Sequence, residues 1–185
     1  MSLTIEDGTI VANADSFVTL KELSDWAIRV GKDELLTEHV AYAEPALKVA
    51  ALYLNNNYRR TFQGKVVEAD QSLPWPRSGA RDDLGTTIAN TVIPANVKNA
   101  QCQLALDALQ NLKNGAASTP TLDASVGLQS GGRAVKSQKV AIAGAVERVT
   151  VYENASGTPT APVYTQAFNL LAPLVASVTG RVQRL

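Results

Sequence analysis

Three sets of side chains in this 185-residue chain have types that could do chemistry. His39 is the only imidazole and Cys102 the only thiol. A nucleophile and base would have to come from these two or from a Ser/His pair, and no G-x-S-x-G elbow is present to supply one. His39 reads as a residue on a helix surface, and Cys102 as a buried thiol in an apolar helix with no base beside it. Asp82-Asp83 and the pair Glu68/Asp70 could in principle hold a cation, but acids in a loop ordinarily serve as solvated surface. One His and one Cys make neither a Cys/His zinc site nor an intramolecular disulfide. The sequence has no G-x-x-x-x-G-K-[ST] phosphate loop and no G-x-G-x-x-G after a strand. The reading is therefore non-enzymatic, with no catalytic residue, cofactor or metal expected.

The third set is Leu73-Pro74-Trp75-Pro76-Arg77-Ser78-Gly79, with Arg81 just beyond. Two prolines around Trp75 stiffen the backbone, and Gly79 permits a turn. Such a segment can cover a core with Trp75. It also contains what interface hot spots are made of, an aromatic and an arginine on a rigid loop, with Arg77 presented outward. A third possibility is nucleic acid, with Arg77 and Arg81 on phosphates and Trp75 stacked on a base. A single aromatic is a thin stacking platform.

The elements that must position these residues are mainly helical. Thr19 and Glu22 fit a capping box, with Val18 and Leu23 at the staple positions and Gly31 at the helix stop. A second helical stretch runs from about Leu35 to Asn57, and Pro45 is expected to break or kink it. Residues 61–93 show little periodicity. Pro94 fits the first position of a third helix, which ends at Asn114-Gly115 and forms the central core helix. Gly115 to Gly132 reads as a flexible loop. Around Ala143-Gly144-Ala145 the alternation in Val140–Ile142 and Val149–Val151 predicts a β-hairpin, which needs further packing for stability. A fourth, short helix follows from Pro162, and Pro173 ends or kinks it. The expected fold is a small bundle of about four helices in a single domain, 1–185. Residues 115–161 form a loop and hairpin arm, and 174–185 an extended tail.

Composition agrees with a folding chain: 45% hydrophobic and 18% charged residues, with only 5% aromatic. Seventeen basic and seventeen acidic residues give zero net charge, which argues against a monomer that grips nucleic acid by bulk electrostatics. The balance is uneven. Residues 1–44 carry three basic against nine acidic side chains (−6), residues 45–130 eight against six (+2), and residues 131–185 six against two (+4). Complementary ends of this kind can steer association between subunits or toward a partner. Met1 is not followed by a basic stretch and an apolar run, so no signal peptide is expected. No apolar run approaches bilayer-spanning length, and no membrane partner is expected.

Four pieces of the chain together resemble the phage head–tail connector, or head-completion, proteins often labelled DnaT-like single-stranded DNA-binding. They are Glu6-Asp7-Gly8 with Asn13 to Val18; Ala46 to Leu54 leading into Tyr58-Arg59 and Phe62-Gln63-Gly64; Gln71 to Gly79 followed by Ile93-Pro94; and Leu170-Leu171-Ala172-Pro173-Leu174 before an Arg-bearing C-terminus. Pro45 departs from the uninterrupted helix expected there. The resemblance implies a helical subunit of a virion neck, assembled in the bacterial host cytoplasm. It implies a homo-oligomeric ring of about twelve copies, in which each copy meets the next through unlike faces. The ring would dock on the portal protein, bind a tail or second connector protein beneath, and pass double-stranded DNA through its lumen. It further implies that the tail after Pro173, with Arg181, Arg184 and Leu185, engages the portal. Taken literally, the label implies instead a single-stranded DNA binder acting in replication, through Trp75, Arg77 and Arg81.

Overall fold

The computed structural model describes residues 2–115, 118–122, 128–129, 133–142, 146–152 and 164–176. The chain divides into two compact units. One comprises Met1–Leu122 with Tyr164–Leu185, the other Asp123–Val163.

The first unit is mainly helical. Helix α1 (Leu20–Arg29) begins with the capping box expected from sequence: the Thr19 hydroxyl accepts from the Glu22 amide at 3.2 Å, and the Glu22 carboxylate accepts from the Thr19 amide at 2.7 Å. Val18 and Leu23 are both buried beside it. Its end is a Schellman turn. Gly31, at φ +67°, donates to the Ile28 carbonyl and Lys32 donates to that of Ala27.

The expected 35–57 helix is two helices. Helix α2 (Asp33–Glu38) ends at His39, a 3₁₀ turn covers Val40–Tyr42, and α3 (Ala43–Tyr58) follows. The break thus lies just ahead of Pro45. That proline sits in the first turn of α3, where its missing amide has no intrahelical acceptor to satisfy. Helix α4 (Ala95–Lys113) starts one residue later than expected, with Pro94 as its N-cap, and stops at Asn114-Gly115 as read. Every residue from Ala100 to Leu106 is buried, so α4 is covered on all sides by α1, α3 and the last helix, α5 (Thr165–Leu171). Helix α5 begins three residues after Pro162, and Pro173 falls in a closing 3₁₀ turn, Ala172–Leu174.

Buried polar side chains tie the bundle to the N-terminal segment. Gln101 on α4 accepts from the Phe17 amide at 2.8 Å and donates to the Ser16 hydroxyl and the Leu47 carbonyl. Glu6, also buried, accepts from the amides of Gly8, Ile10 and Val11. A Cβ on Gly8, whose φ is +108°, would collide with the Thr91 carbonyl. The N-terminal stretch is therefore built into the fold by its own carboxylate.

Residues 61–93 contain an unexpected two-stranded ladder. Strands β1 (Lys65–Val66) and β2 (Arg77–Ser78) pair antiparallel, Lys65 with Ser78 and Val66 with Arg77. Such a short ladder leaves no periodicity to read.

The second unit contains a three-stranded antiparallel sheet: β3 (Leu128–Gln129), β4 (Arg133–Ile142) and β5 (Val146–Tyr152), in that order. The hairpin expected around residues 143–145 joins β4 to β5. Its strands are longer than the alternation suggested, running from Ile142 opposite Val146 to Val135 opposite Tyr152, with an irregularity between Val135 and Ser137.

Candidate functional site

The Pro-Trp-Pro-Arg segment faces inward. Trp75 is fully buried and meets Phe62 edge-to-face, with ring centroids 5.7 Å apart; the Trp75–Pro76 peptide is cis. Arg77 is only 4% exposed. Trp75 covers the core, the first of the readings open to this segment, while the expectation of an outward Arg77 is corrected and a base-stacking role for Trp75 falls with its burial.

Among the described residues, no carboxylate pairs with Arg77. Its guanidinium donates five hydrogen bonds to backbone carbonyls: Nε to Gln63 (2.7 Å), Nη1 to Arg59 (3.2 Å) and Pro74 (3.1 Å), Nη2 to Phe62 (3.3 Å) and Gly64 (2.8 Å). These match the five donors of the planar fork. Arg59 caps the C-terminal end of α3 and Phe62 follows closely, so the cation sits near the negative pole of that helix. Burial, and then the nearby Arg59 charge, pull the Arg77 pKa below its ordinary value. An arginine still keeps its proton there.

A second layer surrounds this cation. Arg59 donates to the Gln71 carbonyl through both Nη atoms and to the Asn55 side chain. The Gln71 amide oxygen accepts from Val67 and Glu68, and its nitrogen donates to the carbonyls of Leu73 and Pro76. Gly64, at φ +69°, passes so close to β2 that a Cβ would strike the Ser78 carbonyl. Gln63 reaches the chain's last described stretch: its side chain donates to Pro173 and its amide to Leu174. Ala176 donates back to Thr61 at 2.7 Å, and Phe62 bridges Val175. Residues 174–176, the start of the expected extended docking tail, are thus tied by backbone pairing to residues 61–63. Arg181, Arg184 and Leu185 lie outside the described residues.

Arg81 is the one residue of the motif region that is both cationic and exposed. It donates to the Gly85 carbonyl at 3.1 Å across a turn closed by pairing of Arg81 with Thr87. Asp82 accepts from the amides of Leu84 and Thr86, so one of the two candidate cation-binding acids serves the turn. At the tip, Leu84 is 87% exposed.

Most other described cations of the first unit are occupied. Lys21, Lys32, Lys48, Lys98 and Lys113 pair with Asp25, Asp107, Asp15, Glu22 and Glu38. Arg29 stacks over Trp26 at 5.4 Å. His39 is half-buried at the C-terminal end of α2. Cys102 is buried, and desolvation pushes its thiol up to about 12. Among the described residues, no group of three or more His, Cys, Asp or Glu side chains could hold a metal, and no helix is long and apolar enough to cross a membrane.

Sequence reasoning missed the structural roles of Gln63, Gln71 and Gln101, whose side chains bond within the fold, and of Gly64, whose backbone passes close to β2. The signal for Gln63, Gly64 and Gln71 was the cluster of Gln and Gly around the aromatic-arginine segment, whose partners are too far apart in sequence for any local period to expose.

No curated protein and no solved structure matches the chain. A family model described as "Putative DnaT-like ssDNA binding protein" matches residues 1–185. With that match spanning the whole sequence, the chain belongs to the DnaT-like ssDNA-binding protein family.

Proposed function

We propose that this protein is a non-catalytic structural subunit of a phage neck. In this reading about twelve copies form a ring, each meeting the next through unlike faces. The ring joins the portal to a tail or second connector protein and lets double-stranded DNA pass. The observation that supports it is the inward packing of the Pro-Trp-Pro-Arg segment. Its donors satisfy the chain's own carbonyls, and its neighbours Phe62 and Gln63 hold residues 173–175 in place. A segment so occupied fixes the shape of a subunit and the exit direction of its C-terminal end. The scarcity of unoccupied cations on the described helical unit suits a wall that DNA slides past. Cryo-electron microscopy and light scattering with purified portal test the reading; rings on the portal are expected, and failure of any ring to form removes it.

Single-stranded DNA binding in replication is the second reading, favoured by the family description. It needs a salt-dependent affinity for oligonucleotides, with log K falling in proportion to the phosphates contacted. Fluorescence anisotropy at low salt decides it, and no binding there eliminates it. Since Trp75 and Arg77 are buried, any such site must use other residues, with Arg81 the remaining candidate of the motif region.

A further inference from the structure

Among the described residues, the sheet of the second unit is open along both sides. Strand β5 lies at its edge and pairs only with β4. Strand β3 reaches β4 only at Arg133 and Ala134, so 135–142 have β5 as their one partner. Alternate residues of an antiparallel strand turn their amide and carbonyl away from a given neighbour. Each side of the ribbon thus offers a row of unmade backbone hydrogen bonds, along 135–142 on β4 and 146–152 on β5. Prolines or very short strands ordinarily blunt such edges. Neither β4 nor β5 contains proline, and five of the seven residues of β5 are β-branched or aromatic.

An edge of this kind accepts an extended backbone. Three features select the opposite edge of a second copy. The two edges match in length. They match in direction: β4 and β5 are antiparallel, so ribbons laid side by side and pointing the same way bring β5 of one antiparallel to β4 of the next. Charge disfavours like edges, because β4 carries Arg133, Lys136 and Lys139 with no acid, whereas β5 carries Glu147 beside Arg148. So small a sheet also gains stability from each strand added. We propose that β5 of one copy pairs with the 135–142 edge of β4 in the next, so that the ribbons of successive copies form one continuous sheet. The contact joins unlike edges, and repetition closes a ring or extends a chain, not a two-fold dimer. The inference rests on the assembly reading above and names backbone surfaces that reading requires.

The test places a nitroxide spin label on the full-length protein at Arg148→Cys or at Thr150→Cys, one at a time. Cys102 is buried with its thiol pushed up to about 12, so labelling falls on the new cysteine. In a continuous sheet the same residue recurs every second strand, about 10 Å away. Electron paramagnetic resonance of the assembled protein, alone or on purified portal, should show dipolar broadening of similar size at both positions, abolished by dilution with excess unlabelled protein. Hydrogen exchange on the native protein guards against a label that disturbs the strand. Amides of both 135–142 and 146–152 should exchange more slowly in the assembly than in the monomer. If the protein assembles with no broadening at either position and unchanged exchange in both strands, the contact is wrong and the assembly reading stands. Broadening that differs between the two positions, with added protection confined to 146–152, would mean two-fold pairing of β5 with β5 and overturn the proposal. If the protein never assembles, alone or with portal, contact and assembly reading fall together.

Discussion

Arg77 and Arg81 are four residues apart, and the fold uses them in opposite ways. Arg77 is buried among five carbonyls near the end of α3. Arg81 lies on the surface, with one bond to a turn carbonyl. In sequence one of three readings put the two together on phosphates. The difference lies in what surrounds each one. Two prolines, Gly64 and the end of α3 gather otherwise unpaired carbonyls around position 77, and such a group of acceptors needs a planar donor fork. Ala80 is buried once more, but from Arg81 the chain runs along the surface, and a cation there faces water. An arginine in a proline-rich segment can thus be an internal cross-brace as readily as a ligand contact.

The largest break in that comparison should come from Arg77→Ala. Five carbonyls lose their donor at once, and a loss on the order of 3 kcal/mol or more in urea-unfolding stability is expected. Arg77→Lys should recover only part of this, because an ammonium has three donors and no fork. Arg81→Ala should stay within about 0.5 kcal/mol of the native protein, as surface substitutions do. Equal effects at the two positions would erase the distinction.

Next in size are two glycines beside the same segment. Gly64→Ala combines a positive φ with a collision against the Ser78 carbonyl and should cost about 2–3 kcal/mol. Gly79→Ala has a φ of +74° but open space around the new Cβ, so about 1 kcal/mol is expected in the same assay. Truncation sharpens the boundary. Removing residues 177–185 should leave unfolding cooperative and its midpoint nearly unchanged, whereas removing 173–185 also deletes the partners of Thr61, Phe62 and Gln63 and should lower it.

The smallest effect is one of pH. Burial keeps the Cys102 proton in the folded protein up to about 12, while the unfolded thiol releases it near its ordinary value of 9.0. Unfolding therefore releases a proton between these values, and this contribution to stability is lost as pH rises above about 9. Comparing native protein with Cys102→Ala should show no pH-dependent difference near pH 7 and a shallower alkaline decline for the variant.

Local signals were the legible ones. Thr19, Glu22 and Gly31 delimit α1 because capping chemistry acts within four residues, and α4 shows itself through its length and apolar content. The hairpin around residues 143–145 follows from alternation. Arg77, Gln101 and Glu6 were opaque for the opposite reason. Gln101 bonds to Phe17, 84 positions away, and Arg77 to carbonyls whose positions depend on the finished loop. The two-helix split at 39–42 was misplaced because Pro45 looks like a breaker, yet a proline in a helix's first turn is tolerated.

The central claim is that the Pro-Trp-Pro-Arg segment is an internal brace and not a nucleic-acid surface. Trp26→Phe leaves Trp75 as the only tryptophan, so its fluorescence reports on this segment alone. The account expects blue-shifted emission from Trp75 that stays unchanged when oligo-dT is added at low salt. Salt-sensitive quenching of Trp75 by oligo-dT would contradict it.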